Sequence, residues 1–177
     1  MGSSTGNMLV DDEKALSDIF KFSPTIIATH CEDEAMVVAN KEKYKNEHHA
    51  SFHPIIRKRE ACIASSKKAI ELAKEHNARL HILHISTKEE VELFEKIPMK
   101  DKKLTAEACV HHLWFSDSDY EKYGNQIVCN PAIKTAEDRE AVWRGVINGN
   151  IDVIATDHAP HTWEEKSGVY PNCPAGV

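Results

Sequence analysis

Short apolar runs rich in β-branched residues alternate along this chain with longer segments of helical periodicity. The strand-like runs are TIIATH (25–30), RLHILHI (79–85), KLTAEAC (103–109) and IDVIAT (151–156). Strands that alternate with amphipathic helices form βαβ units around a parallel sheet. The pattern therefore predicts an α/β fold, either an open doubly wound sheet or part of a (β/α)₈ barrel. No G-x-G-x-x-G or Walker loop follows a strand, which argues against a nucleotide-binding open sheet.

The segments between these runs predict the remaining elements. Asp11 and Asp12 are candidate caps of a first helix, and further helices are expected at 33–44, 55–77, 87–97 and 136–149. Ser86 and Glu89 have capping-box spacing, whereas Thr135 and Gly149 are start and stop signals for the last helix. A short strand is expected at 126–130. No repeat or long Pro/Gly/Ser linker interrupts the pattern, so residues 1–177 are predicted to form one domain.

Composition argues against several classes of function. The 22 basic and 28 acidic residues argue against nucleic-acid and polybasic membrane partners. No apolar run approaches the ~20 residues of a spanning helix, and no signal-peptide pattern opens the chain, so a cytoplasmic protein is expected. The five cysteines form no C-x-x-C pair, which predicts free thiols packed as small apolar side chains.

Polar residues follow the apolar strand runs. His30, His84, the pair His111-His112 and Asp157 stand at four strand ends. In a parallel barrel these ends meet at one mouth, where the chemistry gathers. Singly, each histidine is more often a hydrogen-bonded or half-exposed residue, and Asp157 alone would as readily cap a turn. Together, two imidazoles and a carboxylate are donors that zinc prefers, and they predict a metal site of His30, His84 and Asp157.

Three other histidines are not predicted to bind metal. His48, His49 and His53 fall in a polar segment without strand support, and they are predicted to be solvated or to belong to a lid.

A series of motifs resembles the dihydroorotases of the amidohydrolase superfamily. It runs in order over essentially the whole chain as THCED, LHILHIST, TAEACVHHL, CNPAIKT and IDVIATDHAPHTWEEK. ATDHAPH followed by EEK is the most specific of these motifs. The resemblance implies the (β/α)₈ TIM-barrel fold of the metal-dependent hydrolases, of which this chain would form roughly strands 5–8. It also implies Zn²⁺ as cofactor, with one or two ions in a complete site.

The resemblance assigns roles to individual residues. His30 and His84 match zinc ligands, and Asp157 matches an aspartate that approaches the other zinc and shuttles the proton. Asn130, His161 and the backbone of Ala175 and Gly176 match positions that contact the substrate. The implied reaction is the reversible hydrolysis of dihydroorotate to N-carbamoyl-aspartate in pyrimidine biosynthesis.

The sequence also departs from the family pattern. The His-x-His pair of the first strand is absent, and so is the bridging lysine or aspartate expected before Met1. A partial barrel is therefore expected, whose partners would be a second copy in a homodimer or a missing first half-barrel. Such a chain is expected to be unstable as an isolated monomer and to bind metal weakly. An allantoinase or hydantoinase, and a non-catalytic barrel homologue, remain alternative interpretations.

Overall fold

The computed structural model describes Val10 and residues 12–177. Within these residues four strands form one parallel sheet, in the order in which they occur along the chain. They are β1 (Ile27–Thr29), β2 (Leu80–Ile82), β3 (Leu104–Cys109) and β4 (Val153–Ala155). Each of the four apolar runs therefore contains a strand, and the predicted α/β fold class is confirmed.

Helices connect these strands. The described part of the chain contains α1 (Glu13–Phe22), α2 (Glu34–Lys43), α3 (His53–Ile56), α4 (Arg59–Glu75), α5 (Lys88–Val91), α6 (Val110–Trp114), α7 (Tyr120–Tyr123), α8 (Ala136–Asn148) and α9 (Trp163–Lys166). Short 3₁₀ turns lie at Ala50–Phe52, Met99–Asp101, Asp117–Asp119 and Gly124–Ile127. None of the described helices is long and apolar enough to cross a bilayer.

Three predicted helix boundaries are confirmed in atomic detail. The Asp12 carboxylate accepts a hydrogen bond from the Ala15 amide at 2.8 Å and caps α1, whereas Asp11 lies outside the described residues. Thr135 caps α8 in a reciprocal capping box with Asp138. Gly149 ends that helix with a left-handed backbone, φ 82°, a conformation that glycine adopts without steric cost.

The predicted helix 55–77 is interrupted near its start. The chain forms the single turn α3, leaves helical geometry at Arg57 and Lys58, and resumes as α4. The Arg57 guanidinium contacts the Glu32 carboxylate, and both side chains are buried. A tertiary ion pair therefore overrides the local helical pattern.

The helix predicted for 87–97 is also wrong in two respects. It is only the four residues of α5, and its cap is Thr87 rather than Ser86. The Thr87 hydroxyl accepts from the Glu90 amide at 3.2 Å and donates to the Glu90 carboxylate at 2.9 Å. The capping interaction therefore joins Thr87 and Glu90, one residue beyond the predicted pair of Ser86 and Glu89.

The strand predicted at 126–130 is absent from the described sheet. Residues 124–127 form a 3₁₀ turn, and Val128 continues in extended geometry. The Val128 carbonyl accepts hydrogen bonds from the Gly176 amide at 2.9 Å and the Lys166 ammonium at 3.1 Å. The segment therefore bonds to the C-terminal residues instead of joining the sheet.

The two faces of the sheet differ in character. Leu80, Ile82, Ala106 and Ala108 are fully buried on one face, where the main apolar cluster includes residues of α4 and α8. The other face carries polar side chains. His81 Nδ1 lies 2.9 Å from the Thr105 hydroxyl, and Glu107 is on the same strand face as Thr105. Burial of apolar surface thus stabilises the helical side of the sheet.

Both outer strands of the described sheet have one strand neighbour each, because β1 pairs with β2 and β4 with β3. Ile154 on β4 keeps 53% of its surface exposed. Four parallel strands in sequential order, with helices between them, match one half of a (β/α)₈ barrel. The unpaired edges of β1 and β4 are surfaces to which further strands can add.

Candidate metal centre

His30 and His84 meet at the carboxyl end of the sheet. His30 directly follows β1, and His84 lies two residues beyond β2. Backbone bonds fix this arrangement, because the Leu83 amide donates to the Thr29 carbonyl at 3.1 Å and the Ile85 amide to the Glu107 carbonyl at 2.7 Å. As a result, His30 Nδ1 and His84 Nε2 are 3.0 Å apart.

A buried carboxylate orients His30. The His30 Nε2–H donates to Glu32 at 3.0 Å, and Glu32 is itself paired with Arg57. Burial alone would raise the pKa of Glu32, but the hydrogen bond from His30 and the charge of Arg57 bring it down to about 2. Glu32 is therefore ionised at neutral pH and holds His30 with its Nδ1 lone pair directed toward His84.

His84 has the protonation state of a metal ligand. It is 6% exposed, and burial, reinforced by the neighbouring His30, lowers its pKa to about 3. Its backbone is left-handed at φ 39°. Nδ1 is buried and has no hydrogen-bond partner among the described residues. Because the ring is neutral and its Nε2 faces His30 Nδ1, His84 can offer the Nε2 lone pair to a cation, with its one ring proton on Nδ1.

Asp157 lies two residues beyond β4, at the same carboxyl end of the sheet as His30 and His84. It too has a left-handed backbone, φ 44°. Partial desolvation, and after it the negative charge of Glu107, raise the pKa of Asp157 above its ordinary value. Such a carboxylate takes up a proton more readily than an ordinary surface aspartate.

A cavity of about 190 Å³ joins these groups to the remaining predicted residues. Its lining consists of His30, Leu83, His84, Cys129, Asn130, Asp157, Ala159, Ala175 and Gly176. His161 is the one predicted site residue outside this lining. The His161 ring is nevertheless close to the lining residue Gly176, because a Cβ atom built on Gly176 would lie 3.1 Å from the ring. The structure thus brings the predicted residues of distant segments around one small space.

The sequence analysis missed the residues that support this site. Glu32, within the HCED motif, lies two residues from His30 and was a detectable signal. Arg57 and Glu107 gave no signal, since their roles depend on tertiary contacts. The prediction that His53 is solvated or in a lid is wrong. It is 6% exposed, with Nε2–H donating to the Cys129 carbonyl at 2.9 Å and Nδ1 accepting from the Tyr170 hydroxyl at 3.2 Å.

The two histidines fit a metal ion. Zn–N distances of about 2.0–2.1 Å place two ligand nitrogens of a tetrahedral ion about 3.3 Å apart. His30 Nδ1 and His84 Nε2, at 3.0 Å, need only a small separation to reach that spacing. The carboxylate partner of His30 is the support that metal-binding histidines usually have. The described chain therefore offers a preorganised pair of imidazoles, with one carboxylate in the same cavity.

Similarity to known proteins agrees with this geometry. A dihydroorotase from Bacillus licheniformis is 33% identical over 178 residues, which is 100% of this chain and 40% of that protein. Other bacterial dihydroorotases match at 31% to 41% identity over the whole chain or part of it. The chain belongs with the dihydroorotases. It spans about two fifths of the length of the relative from Bacillus licheniformis, however. No family model matches the dihydroorotase-like chain.

Solved structures establish the fold of this dihydroorotase-like chain. A dihydropyrimidinase from Brevibacillus agri superposes with a TM-score of 0.86 at 20% identity, over 98% of this chain and 40% of its own. A dihydroorotase from Saccharomyces cerevisiae, in complex with 5-fluoroorotic acid, gives a TM-score of 0.60 at 22% identity over 66% of this chain and 34% of its own. The predicted partial barrel is confirmed. Both protein names denote hydrolases of cyclic amides.

Proposed function

We propose that this chain forms the second half of a dihydroorotase active site, which interconverts dihydroorotate and N-carbamoyl-aspartate in pyrimidine biosynthesis. The observation that carries the proposal is the 190 Å³ cavity, which is lined by two imidazoles and a carboxylate from three strand ends and by the amide of Asn130 from a segment outside the sheet. Cyclic-amide hydrolysis requires a nucleophile at neutral pH and a proton for the departing nitrogen. These groups can supply both.

His30 and His84 are proposed to hold a divalent metal, with Zn²⁺ as the expected ion because imidazole and carboxylate are its usual donors. Such an ion polarises the amide carbonyl and lets water act as a nucleophile at neutral pH. Both histidines already have the orientation or the protonation state that metal binding requires. Glu32 fixes the orientation of His30, and burial keeps His84 neutral.

Asp157 is proposed to move the proton. Its carboxylate takes a proton from the attacking water and returns it to the ring nitrogen when the C–N bond breaks. The raised pKa of Asp157 suits this exchange, since a carboxylate nearer neutrality both accepts and releases a proton. The transferred proton ends on the ureido nitrogen of N-carbamoyl-aspartate, and the second proton of the water is released to solvent when the new carboxylic acid ionises.

The substrate is proposed to lie against the opposite wall of the cavity. Asn130, Ala175 and Gly176 line the cavity, and the His161 ring lies next to Gly176. Asn130 Oδ1 is buried and has no partner among the described residues, so it is available to accept a hydrogen bond from a ring N–H. Amide and backbone groups of this kind recognise a cyclic amide through its alternating donors and acceptors.

Further ligands are proposed to come from a complementing half-barrel, in the same or another polypeptide, or from a second copy of the chain. The open edges of β1 and β4 support this proposal, because added strands would close the barrel. The cytoplasm is the proposed compartment. All five cysteines are free and buried, and disulfides persist mainly in oxidising compartments.

Hydrolysis of dihydroorotate in the presence of Zn²⁺ tests the proposal. The purified chain is assayed alone and mixed with the first half-barrel of the Bacillus licheniformis dihydroorotase, and Asp157→Asn is compared with Asp101→Asn. Asp101 is an exposed aspartate outside the cavity and serves as the matched control. We expect activity in the mixture, at least ~10³-fold lower in Asp157→Asn because the proton transfer is lost, and unchanged in Asp101→Asn.

Two results would contradict the proposal. Equal activity in Asp157→Asn would remove Asp157 from the reaction. A complemented barrel that cleaves hydantoin or dihydrouracil but not dihydroorotate would shift the assignment to a hydantoinase-type enzyme.

A further inference from the structure

A second group of metal-ligating side chains lies at the end of β3 and in the first turn of α6. Cys109, His111 and His112 each offer one ligand atom, and these atoms all lie within 4.8 Å of one another. The three residues are buried, with exposures of 0%, 4% and 4%. None of them is among the described residues that line the 190 Å³ cavity. The cluster lies near His84, which interacts electrostatically with His111 and His112, but its ligand atoms are not those of the pair of His30 and His84.

The hydrogen bonding of His112 points to a ligand. Its Nε2–H donates to the Pro131 carbonyl at 3.0 Å, which leaves the lone pair on Nδ1. Nδ1 is buried and has no hydrogen-bond partner among the described residues. A backbone carbonyl that accepts from one ring nitrogen, with the other nitrogen bare, is the usual support of a metal-bound histidine.

The ionisation of the cluster is compatible with coordination. Burial lowers the pKa of His111 to about 4 and that of His112 well below its ordinary value, so both rings are neutral at pH 7. Burial, and after it the charge of Glu107, raise the pKa of the Cys109 thiol. Without a cation, Cys109 is therefore an inert thiol rather than a reactive thiolate.

We propose that Cys109, His111 and His112 form a second metal site, for a thiophilic cation such as Zn²⁺, with ligands other than those of the site of His30 and His84. One sulfur and two imidazole nitrogens suit Zn²⁺ and leave a fourth position open. Binding displaces the Cys109 proton to solvent, so that a thiolate coordinates the cation. Through the bond from His112 to Pro131, the site ties the end of β3 to the segment that carries Asn130.

Cobalt(II) is the probe that tests this site on the 177-residue chain. Thiolate coordination to Co²⁺ produces a charge-transfer absorption in the near ultraviolet, which nitrogen and oxygen ligands do not produce. We expect this band in the unaltered chain and its loss in Cys109→Ser. The matched control is Cys62→Ser, since Cys62 is equally buried but lies in α4. His112→Gln is expected to weaken Co²⁺ binding at least ~10-fold.

Several outcomes would overturn the proposal. The band could be absent from the unaltered chain, or persist in Cys109→Ser. Loss of the band in Cys129→Ser with retention in Cys109→Ser would assign the thiolate to Cys129, which lines the cavity. Loss in His84→Ala would mean that the two sites are one. Retention in His84→Ala supports a separate site, and it does so whether or not the chain hydrolyses dihydroorotate. Circular dichroism of each variant verifies that it is folded.

Discussion

Lys102 and Asp152 form a buried ion pair just before β3 and β4, at the opposite end of the sheet from the candidate metal centre. The Lys102 ammonium lies 2.8 Å from Asp152, and the two side chains are 2% and 4% exposed. Lys102 also donates to the Gly149 carbonyl at 2.8 Å, and Asp152 accepts from the Ala106 amide at 3.1 Å. Replacing Lys102 with methionine keeps the volume and removes the charge.

The expected loss of stability in Lys102→Met follows from the groups that lose their partner. Asp152 would remain buried with an uncompensated charge, and the Gly149 carbonyl would lose a donor. Breaking a buried pair in this way costs about 3–5 kcal/mol of the free energy of unfolding. For a chain of this size each kcal/mol corresponds to about 2–4 °C, so the melting temperature should fall by about 6–20 °C.

Urea unfolding followed by circular dichroism measures this loss. Lys103→Met is the matched control, because Lys103 is the next residue and is exposed, with a surface hydrogen bond to Asn77. The control should change stability by no more than about 0.5 kcal/mol. In Lys102→Met/Asp152→Asn most of the loss should be recovered, since the unpaired charge is gone. A Lys102→Met loss below about 1 kcal/mol, equal to that of the control, would refute the reasoning.

Three further predictions concern other parts of the molecule. Burial lowers the pKa of His53 to about 3 from 6.5, so the unfolded chain binds a proton first as the pH falls below 6.5. His53 should therefore contribute about 2 kcal/mol to the loss of stability between pH 7 and 5 in urea titrations, beside the contributions of buried His84, His111 and His112, and His53→Gln should reduce the loss by that amount. In Gly176→Ala the new Cβ would lie 2.4 Å from the Ala159 carbonyl oxygen, so the backbone beside the cavity must shift. The kcat/KM of the complemented enzyme should therefore fall at least ~10-fold in this variant, whereas the kcat/KM of the Gly168→Ala control should be unchanged. The isolated chain should associate in sedimentation experiments through its open sheet edges, and a sharp, cooperative melt of a monodisperse monomer would contradict this.

The features that could be predicted from the sequence are those set by local chemistry. The caps at Asp12 and Thr135 and the stop at Gly149 depend only on neighbouring backbone groups, and their positions are confirmed. The alternation of strands and helices is likewise a local pattern. It placed His30, His84 and Asp157 at strand ends, and the parallel topology brings such ends together.

The features that escaped prediction depend on partners far away in sequence. The helix break at Arg57 follows from its contact with Glu32, 25 residues earlier. His53 is buried because Tyr170 and Cys129 satisfy both ring nitrogens, although its sequence neighbours are polar. Val128 is extended but bonds to Gly176 rather than to a strand. The hydrophobic pattern of a sequence does not show which distant residues will pair in the folded chain.

The left-handed backbones of His84 and Asp157 affect how variants of this chain would fare under selection. Non-glycine residues in this region cost roughly 1–2 kcal/mol each relative to glycine. In a library screened only for folding or solubility, Asp157→Gly would therefore be enriched, because the exposed Asp157 loses little packing, whereas His84→Gly would also lose a buried ring. The most stable survivors would be those without the proposed proton carrier. A screen that is meant to improve expression of this chain must accordingly also select for the proposed activity.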